Sequence, residues 1–473
     1  HPIVILKAIP GKLPDILSPG LNTLGVMLPY TPLHHLIMDR VEFPLVMTSA
    51  NISEEPICKE NDEALATLKH IADGFLLHNR PIVNRIDDTV CFYAAKGERM
   101  VRRARGYAPE PMRLIKSAPP LIACGSFYKN TFCLAQGEYA FLSQHIGDLD
   151  ELKTFQHYKE QIYRYETLFR VKPRYAVRDL HPGYMSSVYA ESLGLPVISV
   201  QHHHAHVASV MAEYGLQDKV LGIAYDGTGL GTDGHIWGGE FLVADYQGFD
   251  RVGHLKYVPL PGGDLAIKEP FRSALGFIYP HLDFFREFVD RFDEEKIRII
   301  STQIDRSINS PLASSMGRLF DAASSLLNMR DKVGFEGQAA MELEALIRED
   351  DGYYNYSIMK QGPCYIIDVE NTLKDMYSEF VRGIDKGIIA CRFHNTVVKF
   401  TAEMLHIMRD IYRINRVVLS GGCFQNRYLL ENLNSKLSAC GFEVFIPRRI
   451  PVNDGGISLG QAVIAVEKIA GKK

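Results

Sequence analysis

The chain has no C-x-x-C pair. Its eight cysteines, at positions 58, 91, 124, 133, 364, 391, 423 and 440, are scattered, which excludes a zinc ribbon within the chain and gives no disulfide framework. Reduced thiols in a cytoplasmic protein are therefore expected. No run approaches the roughly 18 uninterrupted apolar residues of a membrane span, and no signal peptide opens the chain, so no membrane partner is expected. A surplus of charge of one sign is also missing. Lys and Arg number 52 against 56 Asp and Glu, a formal net charge of −4, whereas a protein that wraps nucleic acid carries a broad basic surface. No nucleic-acid partner is expected. An initiating Met is absent too: "HPIVILKAIPGKLP" opens directly in a strand-like apolar run, which suggests a first domain that has lost its beginning.

What is present is ordinary globular composition, 46% apolar and 23% charged over 473 residues. That length predicts two or three domains. Residues 1–108 alternate short apolar runs with helical patterns. The basic, Pro-bearing "VRRARGYAPEPMRLIKSAPP" reads as the exit from this domain, with a linker at 109–119. From 120 to 473 the chain shows an internal duplication. "PPLIACGSFYKNTFCLAQGEYAFLSQHIGDL" reads as strand, Gly-led turn, second strand and third strand, and "KVLGIAYDGTGLGTDGHIWGGEFLVADY" follows the same plan. Two such units predict an α/β fold of two similar halves whose turns face each other across a nucleotide cleft. Glycines such as Gly125, Gly227 and Gly229 let backbone N–H groups converge on a phosphate and tolerate positive φ. "RVVLSGGCFQNRYLLENL" and "VNDGGISLGQAVIA" add two more turns, in which Gly421 and Gly422 let the backbone approach a ring or a phosphate closely.

Four histidines crowd into "VISVQHHHAHVASVMAEYG". A strand ends near residue 200 and a helix begins near His203, with Val207, Val210, Met211 and Tyr214 as its apolar stripe. His202 and His206 are then one turn apart on one face, the spacing by which helix-borne histidines share a metal. His203 and His204 are left to orient the ligands or to contact substrate. Further ligands must come from afar, and Asp226 and Asp454, on the Gly-rich turns at the cleft floor, are the natural candidates. Imidazole plus carboxylate suits zinc or iron.

Taken in order, "GSFYKNTFCL", "SQHIGDLDE", "DLHPGYMSS", "QHHHAHVASVMAE", "DGTGLGTDGHIWGGEF", "GGDLAIKEPFR", "SSMGRLFDAASSLL", "FEGQAAMELE", "SGGCFQNRYLL" and "NDGGISLGQA" resemble the HypF family of hydrogenase-maturation carbamoyltransferases. The stretch with "TSANIS" and "DDTV" to "VRRARGYAP" resembles the second half of that family's YrdC-like adenylation domain. The remainder resembles its transferase domain, of the actin-like (RNase H-like) ATPase superfamily. The resemblance implies a route from carbamoyl phosphate and ATP (with Mg) to carbamoyl-adenylate, and transfer of the carbamoyl group to the C-terminal cysteine of HypE. It implies metal ligands His202, His206, Asp454 and Asp226. It puts Thr48, Ser49, Asn51 and Ser53 with Arg102, Arg103 and Arg105 in the adenylation pocket. Gly421, Gly422 and Asn426 would hold adenosine, and Lys129 would sit beside its phosphate as a catalytic candidate with His203 and His204. The family's acylphosphatase domain and paired-Cys module are not visible. A small-molecule O-carbamoyltransferase would have the YrdC-like unit second rather than first, and a non-catalytic actin-fold ATP switch would need no histidine pair.

Overall fold

The computed structural model describes residues 2–52 and 55–471. The N-terminal part forms a four-stranded sheet of β1 (Ile3–Lys7), β2 (Thr23–Val26), β3 (Val90–Ala94) and β4 (Gly97–Arg102), in the order β2-β1-β3-β4. Two short helices, α1 (Pro32–Met38) and α2 (Asn61–Leu68), lie between β2 and β3. The first starts where the sequence chemistry puts it: Thr31 caps His34 N–H at 3.1 Å and Pro32 occupies the first turn. Between Thr31 and Asp88 the one buried position among the described residues is Leu68, so this stretch contributes little to any core.

The rest is the duplicated unit. The first half runs β5 (Met112–Ala123), β6 (Cys133–Leu142), α3 (Leu152–Phe169), β7 (Tyr175–Asp179), α4 (Met185–Ser192), β8 (Val197–Val200) and α5 (His202–Tyr214). The second runs β9 (Val220–Leu230), β10 (Ile236–Ala244), β11 (Phe249–Leu255), then the two-residue strands β12 (Val258–Pro259) and β13 (Leu312–Ala313) around helices α6 (Leu265–Lys268), α7 (Pro270–Ile278), α8 (Arg286–Val289) and α9 (Glu294–Asp305). It continues with α10 (Met316–Leu326), α11 (Gln338–Ala345), β14 (Ser357–Gln361), β15 (Cys364–Asp368), α12 (Glu370–Val381), α13 (Lys386–Tyr412), β16 (Arg416–Ser420), α14 (Arg427–Ala439), β17 (Glu443–Phe445) and α15 (Ile457–Ala470).

The sheets repeat one plan. In the first, order β6-β5-β7-β8, an antiparallel hairpin is extended by two parallel strands; in the second, β10-β9-β16-β17 does the same, with β11, β15 and β14 added beyond β10. Two differences from the sequence reading stand out. The expected linker is strand from Met112 onward, because Pro119 and Pro120 fall where the β5–β6 register shifts and no ladder hydrogen bond is lost. The third strand expected in the first half is absent: residues 143–149 make only an isolated bridge between Gly147 and Asn130.

Each half ends in a helix that packs on the other half. Helix α5, from the first, lies on β9, β10 and β16, and α15, from the second, lies on β5, β6, β7 and β8, while the two helices pack on each other. Residues 202–211 of α5 are all buried, as a helix enclosed on every side must be. The helices meet at Gly460, where a Cβ would lie 1.9 Å from the carbonyl oxygen of Ala205. Helix propensity favours Ala over Gly by about 1 kcal/mol, but overpacking against immovable backbone costs about 1–3 kcal/mol. Gly460→Ala is therefore expected to lower the denaturant midpoint; an unchanged or raised midpoint would show that the two helices separate freely.

Candidate functional site

The joint between the halves places four ionisable side chains together. Gln201 starts α5 by accepting the His204 N–H at 2.8 Å, which sets the two histidines one turn apart on the face toward β9. Asp226 comes from β9, and Asp454 from the tight turn that precedes α15. One donor atom from each of His202, His206, Asp226 and Asp454 lies within 4.8 Å of all the others. Asp226 Oδ2 is 3.3 Å from His202 Nε2 and 3.4 Å from His206 Nε2, and Asp454 Oδ1 is 3.6 Å from both.

These distances fit a shared cation. His202 Nδ1 donates to Asp179 Oδ2 at 2.8 Å, so in the neutral ring the Nε2 lone pair faces the carboxylates. Lone pair against carboxylate is repulsive unless a cation lies between. With zinc bonds of about 2.0–2.1 Å, a tetrahedral site has donor–donor edges of about 3.4 Å. Without a metal, protons must fill the role. Burial disfavours the imidazolium, but Asp454, Asp179 and Asp226 overcome it and hold His202 well above its ordinary 6.5. His206 is raised in the same way, against burial, by Asp226 and Asp454. Burial would raise Asp226 and Asp454, yet the two histidines pull both below the usual carboxylate range. The surrounding groups orient the ligands: Gly422 N–H donates to Asp226 Oδ1 at 3.1 Å, and Ser126 Oγ to Asp454 Oδ2 at 2.7 Å.

Other expected site residues are placed differently. His204 faces away, donating from Nε2 to the Asp245 carbonyl at 2.6 Å, with burial lowering it to about 4. His203 bonds Gln201 through Nδ1 at 3.0 Å and packs near Trp237; it has no hydrogen bond to the four ligands. Gly125 is required for its φ of +74° and for the Thr131 carbonyl that a Cβ would strike at 2.0 Å, but its N–H donates to Gln461 Oε1 at 2.9 Å and is not offered to a phosphate. Asn426 caps α14 by accepting Leu429 N–H at 2.8 Å and bonds His394 Nε2 at 2.9 Å, so its amide is committed. Gly421, with φ +100°, lies against the Tyr225 backbone, and Gly229 lies against the rings of His202 and His203. Gly227 alone of these turn glycines faces more open space, its nearest neighbour being Arg318 at 3.9 Å from a built Cβ. Lys129 Nζ pairs with Glu336, and its backbone N–H donates to Asp148 at 2.7 Å.

In the N-terminal part, Thr48 and Ser49 are exposed and in irregular backbone, Asn51 donates to the carbonyls of Ile52 and Glu55, and Ser53 lies outside the described residues. Arg102 pairs with Asp87 at 3.5 Å and Arg105 with Asp88 at 3.1 Å. Arg103 does not belong with them: it is buried and donates to the carbonyls of Leu142, Tyr107 and Glu110. No hydrogen bond or ion pair among the described residues joins 48–51 to these arginines. The residues that sequence reasoning missed are Asp179, Ser126 and Glu336. Asp179 had a signal, a lone carboxylate ending a strand two residues before a His-Pro-Gly turn, but its partner was 23 positions away.

Two outcomes are expected for metal binding. His206→Ala loses stoichiometric zinc or iron, and Asp179→Ala, which frees the His202 ring, weakens binding roughly 10- to 100-fold. Both imidazoles hold their protons above the usual 6.5, so a metal must displace them: binding releases protons, and affinity falls as pH is lowered. Calorimetry in buffers of different ionisation enthalpy measures both; full occupancy in His206→Ala, or pH-independent affinity, contradicts the assignment.

Comparison with known proteins identifies the family. The family model described as "Carbamoyltransferase, Kae1-like Domain, second subdomain" matches residues 222–461, and the HypF Kae1-like domain model matches 116–213. The Sua5/YciO/YrdC model, described as telomere recombination, matches residues 1–104. Carbamoyltransferase HypF of Synechocystis sp. is 40% identical, over 98% of this chain and 63% of its own length. A crystal structure of full-length HypF in a phosphate- and nucleotide-bound form superposes with a TM-score of 0.97 at 56% identity, covering 99% of this chain and 62% of that one. The HypF of T. kodakarensis superposes at 0.92 with 33% identity, covering 99% and 64%. The chain thus spans less than two thirds of the length of these relatives. With a metal-ligand cluster at the joint of a duplicated α/β unit, and these matches along nearly its whole length, the chain belongs to the HypF carbamoyltransferase family.

Proposed function

We propose that the chain is an ATP-dependent carbamoyltransferase of hydrogenase maturation. Carbamoyl phosphate loses its phosphate to water to give carbamate, the carbamate oxygen attacks the α-phosphate of ATP (with Mg) and displaces pyrophosphate to give carbamoyl-adenylate, and the C-terminal cysteine of HypE accepts the carbamoyl group. The observation that carries this reading is the convergence of candidate ligands from both halves: His202 and His206 from α5, Asp226 from strand β9, and Asp454 from the turn before α15. A nucleotide lying in that cleft would have its phosphate beside the ligands.

The transfer step forms a bond between the cysteine sulfur and the carbamoyl carbon and breaks the bond from that carbon to the AMP oxygen. The thiol proton leaves to solvent or base, and AMP leaves with the electron pair. A zinc or iron ion held by the four ligands supplies Lewis-acid stabilisation of charge on the phosphate or carbamoyl oxygen. The protein's own contribution is placement. Asp179 fixes the His202 ring, Gly422 N–H fixes Asp226, and Ser126 fixes Asp454, so that the anionic leaving group meets a prearranged site. Glycine at 227 leaves room for the nucleotide. Gly421 and Gly422 keep the backbone low beneath the adenosine.

Carbamoyl-adenylate is a mixed anhydride that water hydrolyses, so making it and using it belong to adjoining pockets. The N-terminal part offers hydroxyls at Thr48 and Ser49, the Asn51 amide, and the partly exposed guanidinium groups of Arg102 and Arg105. No ligand cluster occurs there among the described residues, which suits adenylation rather than transfer. No helix among the described residues is long and apolar enough to cross a membrane.

The test is incubation with carbamoyl phosphate, ATP and the acceptor protein, followed by mass spectrometry of its terminal cysteine. Asn51→Ala is expected to block ATP–pyrophosphate exchange. His206→Ala is expected to leave exchange intact and to stop carbamoyl addition to the acceptor. Loss of exchange in His206→Ala as complete as in Asn51→Ala would show a single shared site and overturn the division of labour.

A further inference from the structure

Strand β9, which supplies Asp226, is met by the start of α10. Ser315 Oγ donates to the Gly227 carbonyl at 2.6 Å and accepts the Arg318 N–H at 3.1 Å, capping the helix. Gly317 permits the approach, since a Cβ there would lie 2.9 Å from Gly227 Cα. An 11-residue helix thus points its positive end at the strand end that carries a metal ligand.

In the first turn of that helix sits Arg318, only 4% exposed. Its Nη2 lies 2.9 Å from Asp321 Oδ2, and the same nitrogen is the closest atom, at 3.9 Å, to the point where Gly227 lacks a side chain. The pair touches but is not aligned: Arg318 Nε has no hydrogen-bond partner, and Asp321 Oδ2 accepts no hydrogen bond. Buried guanidinium groups normally have their donors satisfied. The other buried arginines of this protein follow that rule. Arg99 donates to the carbonyls of Ala94, Ala95, Ile446 and Pro447, and Arg103 to three carbonyls. Arg318 therefore turns Nη2, held only by Asp321, toward the open space at Gly227, and carries a buried Nε that the protein leaves without a partner.

We propose that Arg318 is an anion-binding residue of the transferase cleft, taking the phosphate of the bound nucleotide through the Nη2 side of the guanidinium, which faces Gly227 and is paired only with Asp321. This rests on the reading that a nucleotide occupies the cleft. A guanidinium matches two phosphate oxygens at once, and the α10 N-terminus adds to the same field. The phosphate would then be held between Arg318 on one side and the His–Asp ligand cluster on the other.

The test is calorimetry on the intact, zinc-loaded chain with three probes: adenosine, AMP and the non-hydrolysable ATP analogue AMP-PNP. Arg318→Gln is expected to weaken AMP and AMP-PNP roughly 10- to 100-fold, the range of a hydrogen-bonded charge, and to leave adenosine binding unchanged. Arg318→Lys should recover part of the loss. Gly227→Ala, whose methyl group would fill the space before the guanidinium at an allowed φ, should show the same selective loss without altering Arg318. Equal weakening of all three probes in Arg318→Gln, with AMP affinity unchanged in Gly227→Ala, would assign Arg318 a scaffold role and overturn the proposal. So would unchanged affinity for every probe in both variants. If the parent chain binds none of the probes, the nucleotide reading of the cleft fails as well, an outcome distinct from failure at Arg318 alone.

Discussion

Two buried imidazoles, one buried carboxylate and one largely buried carboxylate share one small volume and need a cation between them. His202 and His206 are within 3.6 Å of Asp226 and Asp454, at a joint where desolvation is severe for any unpaired charge. The Asp179 contact turns the His202 lone pair inward, so the cluster stays repulsive until a proton or a metal enters. That demand explains the supporting bonds. Each carboxylate is fixed from behind, one by the Gly422 N–H and one by Ser126, which removes the freedom to relax outward.

The duplicated fold brings these groups together, because no single half contains them. The histidines end the first half, and both aspartates belong to the second. The exchange of terminal helices, α5 onto the second sheet and α15 onto the first, puts the histidine helix and the Asp454 turn on the same seam. The seam is tight where it must be. Gly460 allows α15 to pass Ala205, and Gly222 accommodates Val207, whose methyl group would lie 2.6 Å from a Cβ there. A ligand set drawn from two halves is held to within a fraction of an ångström only if the halves cannot slide, and backbone contact is the means.

The pairing of His202 and His206 was legible because it rests on local periodicity: four residues on a helix is one turn, and that spacing survives any tertiary detail. The duplication was legible for the same reason, since strand, Gly turn and strand recur as local patterns. What the sequence did not disclose is which donors the fold has already used. Asn426 and Gly125 look like ligand contacts from their neighbours, yet one caps α14 and the other is taken by Gln461, 336 residues away. Arg103 sits among two arginines that face carboxylates, but its guanidinium turns inward to three carbonyls. The same blindness runs the other way for Arg318, whose buried Nε is left without a partner, which "SSMGRLFD" cannot show. The prolines at 119 and 120 suggested a linker because a proline removes a donor, and the register shift that makes this harmless is not a property of the local sequence.

The N-terminal part is not an appendage to this seam. Its edge strand β4 runs beside the segment that leads to Asp454: Arg99 donates to the carbonyls of Ile446 and Pro447, Met100 bridges Pro451, and Val101 accepts the Asn453 amide at 3.0 Å. Asn453 uses the other end of the same amide to accept Gly455 N–H at 3.1 Å, closing the turn on which Asp454 sits. One side chain thus joins the strand that ends at Arg102 to the loop that carries a metal ligand. A rotation of the N-terminal sheet relative to the transferase halves would have to break these contacts before it reached the surface. Burial makes that costly: Arg99 is 5% exposed and Asn453 4%, and a buried polar group stripped of its partner loses about 1–3 kcal/mol. The N-terminal sheet and the loop that carries Asp454 are therefore held at one fixed separation.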